Sequence, residues 1–565
     1  MITMKYIFEE ISKHKRVLIV ANIVAILSTL LTIPVPLLIP MLIDEIILGK
    51  GGNITHTIDQ YITIGSPEYY ILVVLLVTLF LKAISLILNL LHIRLFTKIS
   101  KEVTYVIRKK LLNHLQTVSM SEYDMLGSGA VSAKVITDVD TVDKFVASSV
   151  GEIVVELLTL VSIATVILYL NWQIALVILL LNPLVMSFYL HVFRKVAKIK
   201  KKENKSIEIF QNSLTESLEL YNQIRVQNRE EYFLNDIDSK AKEIRDRGYQ
   251  FGFRSEMALE FSRMLIMYSH DIFRAMGILM VLLGLLTIGK MLAIFAYAWI
   301  IMRPVDKLMN FMHLYFNAKT SIERLNEIFL LHLEPKYQEK VDPFKDRETA
   351  SIRIENLSFS YNAKIDILKN INLEIKAGEK VAIIGQTGSG KSTLAHILIG
   401  LYPVTSGNIY YNNYEIREIG YKKIRENVGF VLQSPLMFNN TIRFNLTLGK
   451  EYDDKNIYEI LKIAQLYEFV KGLENQLDTI VGKNGTKLSG GQKQRLSIAR
   501  VLLDNPKIII FDESTSSLDN KTEDKLLEAL DDYIKDKTTI TIAHRRTSIE
   551  KADRVIDLDI INNIV

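Results

Sequence analysis

The chain contains no cysteine in 565 residues, so disulfides, thiolate zinc sites and cysteine nucleophiles are excluded. Its net charge of +5 is small for that length, and the basic residues form no stripe of the kind that follows a nucleic-acid backbone. The first apolar run, residues 17 to 43, is too long for a signal-peptide core and lacks a small-residue cleavage pattern, so it is expected to remain as a membrane helix. Glycine and proline are scarce in two long charged stretches, 94 to 149 and 193 to 258. These read as continuous helices extending beyond a bilayer.

What is present divides the chain in two. Six apolar runs, at 17–43, 70–93, 150–170, 174–192, 262–286 and 290–312, are each about as long as a hydrocarbon core requires. Basic residues gather before the first run (Lys5, Lys13, Lys15, Arg16), after the second (Lys98 to Lys110) and after the fourth (Arg194 to Lys205). That alternation places these segments and the N-terminus in the cytoplasm. Pro34, Pro36 and Pro40 fall inside the first run, where they free carbonyls that a neighbour must satisfy. Asn171-Trp172-Gln173 forms a tight outer turn between the third and fourth runs. At 3.6 residues per turn, Glu256, Glu260, Arg263, His270, Asp271 and Arg274 share one face of the fifth. A charge at the bilayer centre costs at least about 2.5–3.5 kcal/mol, so such a face looks into a bundle or a watery cavity. Two readings stand: internal pairing of Glu260 with Arg263 and Asp271 with Arg274, or a polar cavity lined by Arg263, His270, Asp271 and Arg274.

From Ala350 short β-rich runs take over. The run Lys380 to Ile384 leads into Gly385-Gln386-Thr387-Gly388-Ser389-Gly390-Lys391-Ser392-Thr393, the GxxxxGK[ST] pattern. Its backbone amides cradle phosphates, its lysine reaches the terminal ones, and its hydroxyl meets Mg²⁺. Ile508 to Phe511 reads as a buried strand ending in Asp512 and Glu513. Asp512 is suited to a magnesium shell, and Glu513 to a water attacking the γ-phosphate.

With Leu488-Ser489-Gly490-Gly491-Gln492 lying between these motifs, essentially the whole chain resembles the ATP-binding cassette (ABC) superfamily, in particular its half-transporter exporters. The resemblance implies an all-α six-helix transmembrane domain (1–325), a linker (326–349) and an α/β P-loop NTPase domain (350–565). It also implies a dimer in which the phosphate loop of one subunit and the signature Leu488 to Gln492 of the other enclose ATP. Tyr361 resembles the aromatic that stacks on adenine. Gln433 resembles the glutamine that touches Mg²⁺ and the attacking water, so that Ser392, Gln433 and Asp512 would hold the metal. Ser516-Ser517-Leu518-Asp519 resembles the loop between the two sites, and His544 the switch histidine that assists Glu513. Residues 121 to 129 and 228 to 232 resemble the two cytoplasmic coupling loops.

The chain departs from the family at two places. Gly482-Lys483-Asn484-Gly485 replaces the usual Gly-Glu-Arg-Gly, removing an acidic residue that bears on the polar link to the coupling loops. The sequence also stops at Val565 without the family's glycine-containing turn and last helices, although the catalytic residues precede that point and activity is expected to survive.

The expectation is therefore an ATP-driven exporter or flippase for a lipid, peptide or other amphipathic substrate. It would reside as a multi-pass protein of the cell membrane, among lipids, paired with a second copy of itself or a related chain, using ATP and Mg²⁺ and binding no nucleic acid. An ATP-gated channel or regulatory membrane ATPase is the alternative. A soluble nucleic-acid ATPase cannot accommodate six membrane-length runs.

Overall fold

Helices dominate the first 329 residues because a long apolar run in lipid can satisfy its backbone only internally. A computed structural model describes residues 1–49, 53–61, 67–126, 128–361, 366–513, 520–543 and 549–562. The membrane-type helices are α1 (Lys15–Thr32), α2 (Val35–Leu42), α3 (Pro67–Leu115), α5 (Gly151–Leu170), α6 (Trp172–Glu219), α8 (Glu230–Leu282), α9 (Ile288–Ile300) and α10 (Met302–Phe329). Two short helices, α4 (Met120–Leu126) and α7 (Tyr221–Val226), lie at loop tips. Among the described residues, five continuous helical segments are long and apolar enough to cross a membrane: Lys15–Ile47, Pro67–Leu115, Lys134–Leu170, Glu230–Leu282 and Ile288–Phe329. The fourth run of the sequence, 174–192, lies in α6.

The 49 residues of α3 span about 74 Å at 1.5 Å per residue, more than twice a hydrocarbon core of about 30 Å. Its upper part exposes Leu75, Leu76, Phe80, Leu86 and Ile87, a lipid-facing surface. The inward faces bury Ile163, Ile167, Ile174, Phe273, Ala293, Ile294 and Tyr297 together. Asn171 makes the outer turn by capping α6, its side chain accepting the Ile174 N–H at 2.9 Å.

Proline breaks the first passage as expected. The Leu37 N–H bonds to Pro34 O at 3.0 Å, leaving the Ile33 carbonyl for another donor. The Tyr297 hydroxyl of α9 supplies it. Near the far end of that passage the Asp44 carboxylate accepts the Thr287 hydroxyl and, at 2.9 Å, the Gly289 N–H. It thereby caps the start of α9.

The cytoplasmic extensions of α6 and α8 zip together through polar contacts. Ser213 bonds to Asp236 at 3.2 Å, Lys240 to Ser213 at 2.8 Å, and Ser206 to Glu243 at 3.3 Å. The second loop turns at α7, just before the stretch 228–232 that the sequence suggests. Asn228, with φ of 53°, makes the turn into α8. Asp138 accepts Ser321 at 3.1 Å and Arg324 at 2.5 Å, tying α10 to the returning arm of the first loop.

The chain forms two units, Met1–Leu111 with Ser132–Phe329, and Leu112–Val131 with Leu330–Val565. The tip of the first cytoplasmic loop is thus part of the second unit. There Ser119 N–H bonds to His332 O at 2.9 Å, Glu334 N–H to Thr117 O at 2.8 Å, and Val118 bridges Leu333.

Two sheets make up the rest of that unit. Strands β1 (Ile352–Phe359), β2 (Leu368–Ile375), β4 (Ser406–Tyr411) and β5 (Tyr414–Glu415) form an antiparallel sheet in the order β2-β1-β4-β5. Strands β3 (Lys380–Ile384), β6 (Val428–Val431), β7 (Ile508–Asp512), β8 (Thr538–Ile542) and β9 (Arg554–Asp557) form a parallel one in the order β6-β7-β8-β3-β9. All five residues of β7 are buried, which explains its unbroken apolar run: a parallel strand is covered on both faces.

Candidate active site

Strand β3 ends at Ile384, and α11 (Lys391–Leu398) begins six residues after Gly385. Between them the loop needs glycine at Gly390, whose φ is +97° and whose added Cβ would come within 2.7 Å of Leu368 Cδ2. The result is a tight loop delivering backbone N–H groups to a helix start, where anions bind. The Lys391 ammonium lies over this loop and donates to the carbonyls of Gly385 and Gln386, each at 2.8 Å.

Asp512 closes β7 with a carboxylate only 4% exposed. Its Oδ1 is buried with no hydrogen-bond partner. Burial pushes this carboxyl above the ordinary range, while a hydrogen bond from Ser392 works in the opposite direction. A desolvated carboxylate with an open oxygen, next to a hydroxyl, fits a hard divalent cation. Among the described residues no group of three or more His, Asp or Glu forms a cage. Magnesium binds through one or two carboxylates and completes its shell with phosphate and water. Ser392 and Asp512 would hold it, with Gln433 close by.

Gln433 and Glu513, 80 positions apart, meet directly: the Gln433 amide Nε2 donates to Glu513 Oε2 at 2.6 Å. Glu513 has φ of +44°, a conformation that costs free energy in a non-glycine residue, and its N–H bonds to Ile542 O at 3.3 Å. The strand end thus turns the carboxylate toward the glutamine.

Tyr361 is 45% exposed. Its hydroxyl lies 3.2 Å from Thr393 Oγ1, and Phe359 and Tyr402 pack edge-on against its ring at 5.1 and 5.2 Å. A ring held at a fixed tilt beside the phosphate loop is a platform for a flat base. Ser489 caps α12 (Gly490–Leu503) in a reciprocal box with Gln492. The cap leaves the first amides of α12, those of Gly490 and Gly491, without helical partners. The altered segment Gly482 to Gly485 forms a single tight turn, closed by Gly485 N–H to Gly482 O at 3.0 Å.

The sequence reading missed two residues that hold the phosphate loop. Asp559 accepts the Gln386 N–H at 2.7 Å, and Asn562 donates to Ser389 O at 3.0 Å and Ile367 O at 2.9 Å. Their only sequence signal is a polar pair following the last strand. His544 and Ser516-Ser517-Leu518-Asp519 lie outside the described residues.

On α8, Arg263 pairs with Glu260 at 2.5 Å and Arg274 with Asp271 at 3.5 Å, all four side chains being more than half exposed. His270 stands apart from these pairs. It is buried and stacks on Trp299 at 4.6 Å.

A phosphate loop, a buried carboxylate with an open oxygen and an oriented glutamate are the parts of a P-loop ATPase, here joined to a helical membrane domain. The sequence model of the ABC transporter transmembrane region matches residues 18–305, and that of the ABC transporter itself matches 368–516. The chain belongs to the ABC transporter family. It is 29% identical over 560 residues, 98% of its length and 94% of the relative's, to a Bacillus subtilis (strain 168) protein named for multidrug export, the ATP-binding/permease protein YgaD. It is 31% identical over 458 residues, 80% of its length and 78% of the relative's, to the uncharacterized ABC transporter ATP-binding protein YwjA of the same organism. Among solved structures, a bacterial Atm1-family ABC exporter with ATP bound matches with a TM-score of 0.78 at 23% identity, covering 95% of this chain and 93% of that one. The fold is that of a half-transporter exporter. The chain is a multi-span membrane protein whose cytoplasmic ATP-binding domain couples ATP hydrolysis to transport.

Proposed function

We propose that two copies of this chain form an ATP-driven exporter of amphipathic cargo, a lipid, a peptide or a hydrophobic small molecule. The observation that carries the hydrolytic part is the Gln433–Glu513 hydrogen bond at 2.6 Å beside the open, buried Asp512. Glu513 takes the proton of the attacking water, and Gln433 fixes the direction of its carboxylate. Lys391 and the amides of residues 388 to 392 bear the negative charge of the phosphates. Ser392, Asp512 and Gln433 would hold magnesium, which would supply charge neutralisation on the phosphate oxygens. His544 would assist Glu513, and Ser516 to Asp519 would pass the state of one site to the other.

Export and amphipathic cargo are supported by the multidrug-export name of relatives aligned over nearly the full chain. The internal pairing of Glu260 with Arg263 and of Asp271 with Arg274 is the arrangement found on α8; a polar passage lined by Arg263, His270, Asp271 and Arg274 is the other reading, supported by the exposure of Arg263, Asp271 and Arg274. The test uses purified protein in lipid nanodiscs and vesicles, with phosphate release followed across lipid, peptide and drug panels and accumulation measured in inside-out vesicles. Stimulated hydrolysis with ATP-dependent uptake is the expected result. Ion currents sustained by a non-hydrolysable nucleotide, without uptake, would select the channel alternative.

A further inference from the structure

Two side chains from beyond β9 reach the phosphate loop, one on each side of Thr387 and Gly388. They belong to the one-turn helix Leu558–Ile561 and the residue after it, and Asp557 caps that turn by accepting the Asp559 N–H at 3.0 Å. Asp559 is exposed, and its Oδ2 accepts the Gln386 N–H at 2.7 Å. Asn562 is 2% exposed. Its Nδ2 donates to Ser389 O at 3.0 Å and Ile367 O at 2.9 Å, and its Oδ1 accepts the Lys369 N–H at 2.7 Å, so it ties the loop to the start of β2.

A trans peptide is planar, with its C=O and N–H pointing in opposite directions, so holding one end aims the other. Asn562 holds Ser389 O and thereby aims the Gly390 N–H, one of the cradle amides. Asp559 holds the Gln386 N–H and thereby aims the Gly385 carbonyl, on which Lys391 Nζ rests at 2.8 Å. Ser389 lies between Gly388 and Gly390, whose φ values are +90° and +97°, and glycine opposes rotation of the neighbouring peptides least. A nucleotide meeting a loosened loop loses part of its binding free energy to ordering it, whereas a loop already set avoids that cost. The negative charge of Asp559 disfavours polyphosphate nearby. What the loop uses is its oxygen.

We propose that Asp559 and Asn562 are positioning residues that set the affinity of this site for the phosphates of a nucleotide, by aiming groups of the loop before the nucleotide arrives. The proposal rests on the reading of residues 388 to 392 as the phosphate cradle.

The test uses full-length protein in nanodiscs, with ADP binding measured by titration calorimetry in the presence of Mg²⁺ and ATP hydrolysis by phosphate release. Asp559→Asn and Asp559→Ala remove the same charge, but only the first keeps an oxygen for the Gln386 N–H. Asp559→Ala is expected to bind ADP about tenfold more weakly than Asp559→Asn, and Asn562→Ala about tenfold more weakly than the wild type. In Asn562→Ala and, against Asp559→Asn, in Asp559→Ala the KM for ATP rises in step while kcat stays within about twofold, because the cradle grips the phosphates before transfer as it does during it. A pair that merely closed the end of the fold would lower the melting temperature of the nucleotide-free protein without this split.

Equal ADP affinity in the two Asp559 variants, wild-type affinity in Asn562→Ala, or a fall in kcat at unchanged KM overturns the proposal. If Asn562→Ala does not fold, the exposed Asp559 pair still decides. Lys391→Ala separates the two levels of the argument. If it binds ADP as tightly as the wild type, the cradle reading fails and the proposal with it; if it binds weakly while the Asp559 and Asn562 variants do not, the positioning role alone is lost.

Discussion

Asp512 and Glu513 are sequence neighbours with opposite tasks, one binding a cation and the other removing a proton. For Glu513 the expectation is direct. Glu513→Gln keeps the side chain's shape but removes the base, so phosphate release falls by at least about a hundredfold while titration with a fluorescent nucleotide still shows binding. Wild-type turnover in that variant would end its assignment as the base. Asp512 yields a prediction about stability. Burial holds its folded carboxyl above the ordinary value against the pull of Ser392, so the folded chain binds this proton more readily than the unfolded one. The associated stability is present at pH below the ordinary carboxylate value and is lost as pH rises through the folded value. At neutral pH without magnesium the charged carboxylate is a burden. Asp512→Asn then melts at, or up to about 3 °C above, the wild type, and loses the extra stabilisation that Mg·ATP gives. A lower melting temperature for the nucleotide-free variant would contradict this account.

At the scale of elements, the broken first passage depends on a single donor. Tyr297 is fully buried, and its hydroxyl serves the Ile33 carbonyl, which the helix leaves free because the Leu37 N–H turns to Pro34 O and Pro36 has no N–H. Tyr297→Phe leaves that carbonyl orphaned at a cost of about 1–3 kcal/mol. This should appear as a lower melting temperature in nanodiscs with no change in nucleotide affinity. Proline positions made the break legible in the sequence, as apolar length did for the spans and the charge-poor strand for β7. The i,i+3 pairs on α8 were legible too, because a 3.6-residue period places them side by side. The partner of the break was not, since Ile33 and Tyr297 lie 264 positions apart and no local period connects them. Asp559 and Asn562 were missed for the same reason.

For the molecule as a whole, the decisive question is whether each nucleotide site draws on two chains. Lys391→Ala and Ser489→Ala should each be inactive alone. If the sites form between subunits, co-expressing the two gives mixed dimers with one intact loop facing one intact signature. Random pairing then restores about a quarter of the wild-type sites in the whole pool, and about half in dimers isolated through two different tags, measured as phosphate release. If each chain built its own site, no mixture would recover activity. The first cytoplasmic loop adds a consequence of another kind. Its hold on residues 332 to 334 runs through main-chain N–H and C=O groups at Thr117 and Ser119, which every residue but proline possesses. A loop of foreign sequence grafted there keeps the main-chain part of that grip, and has to bring its own carboxylate to replace the one Glu122 sets on His332.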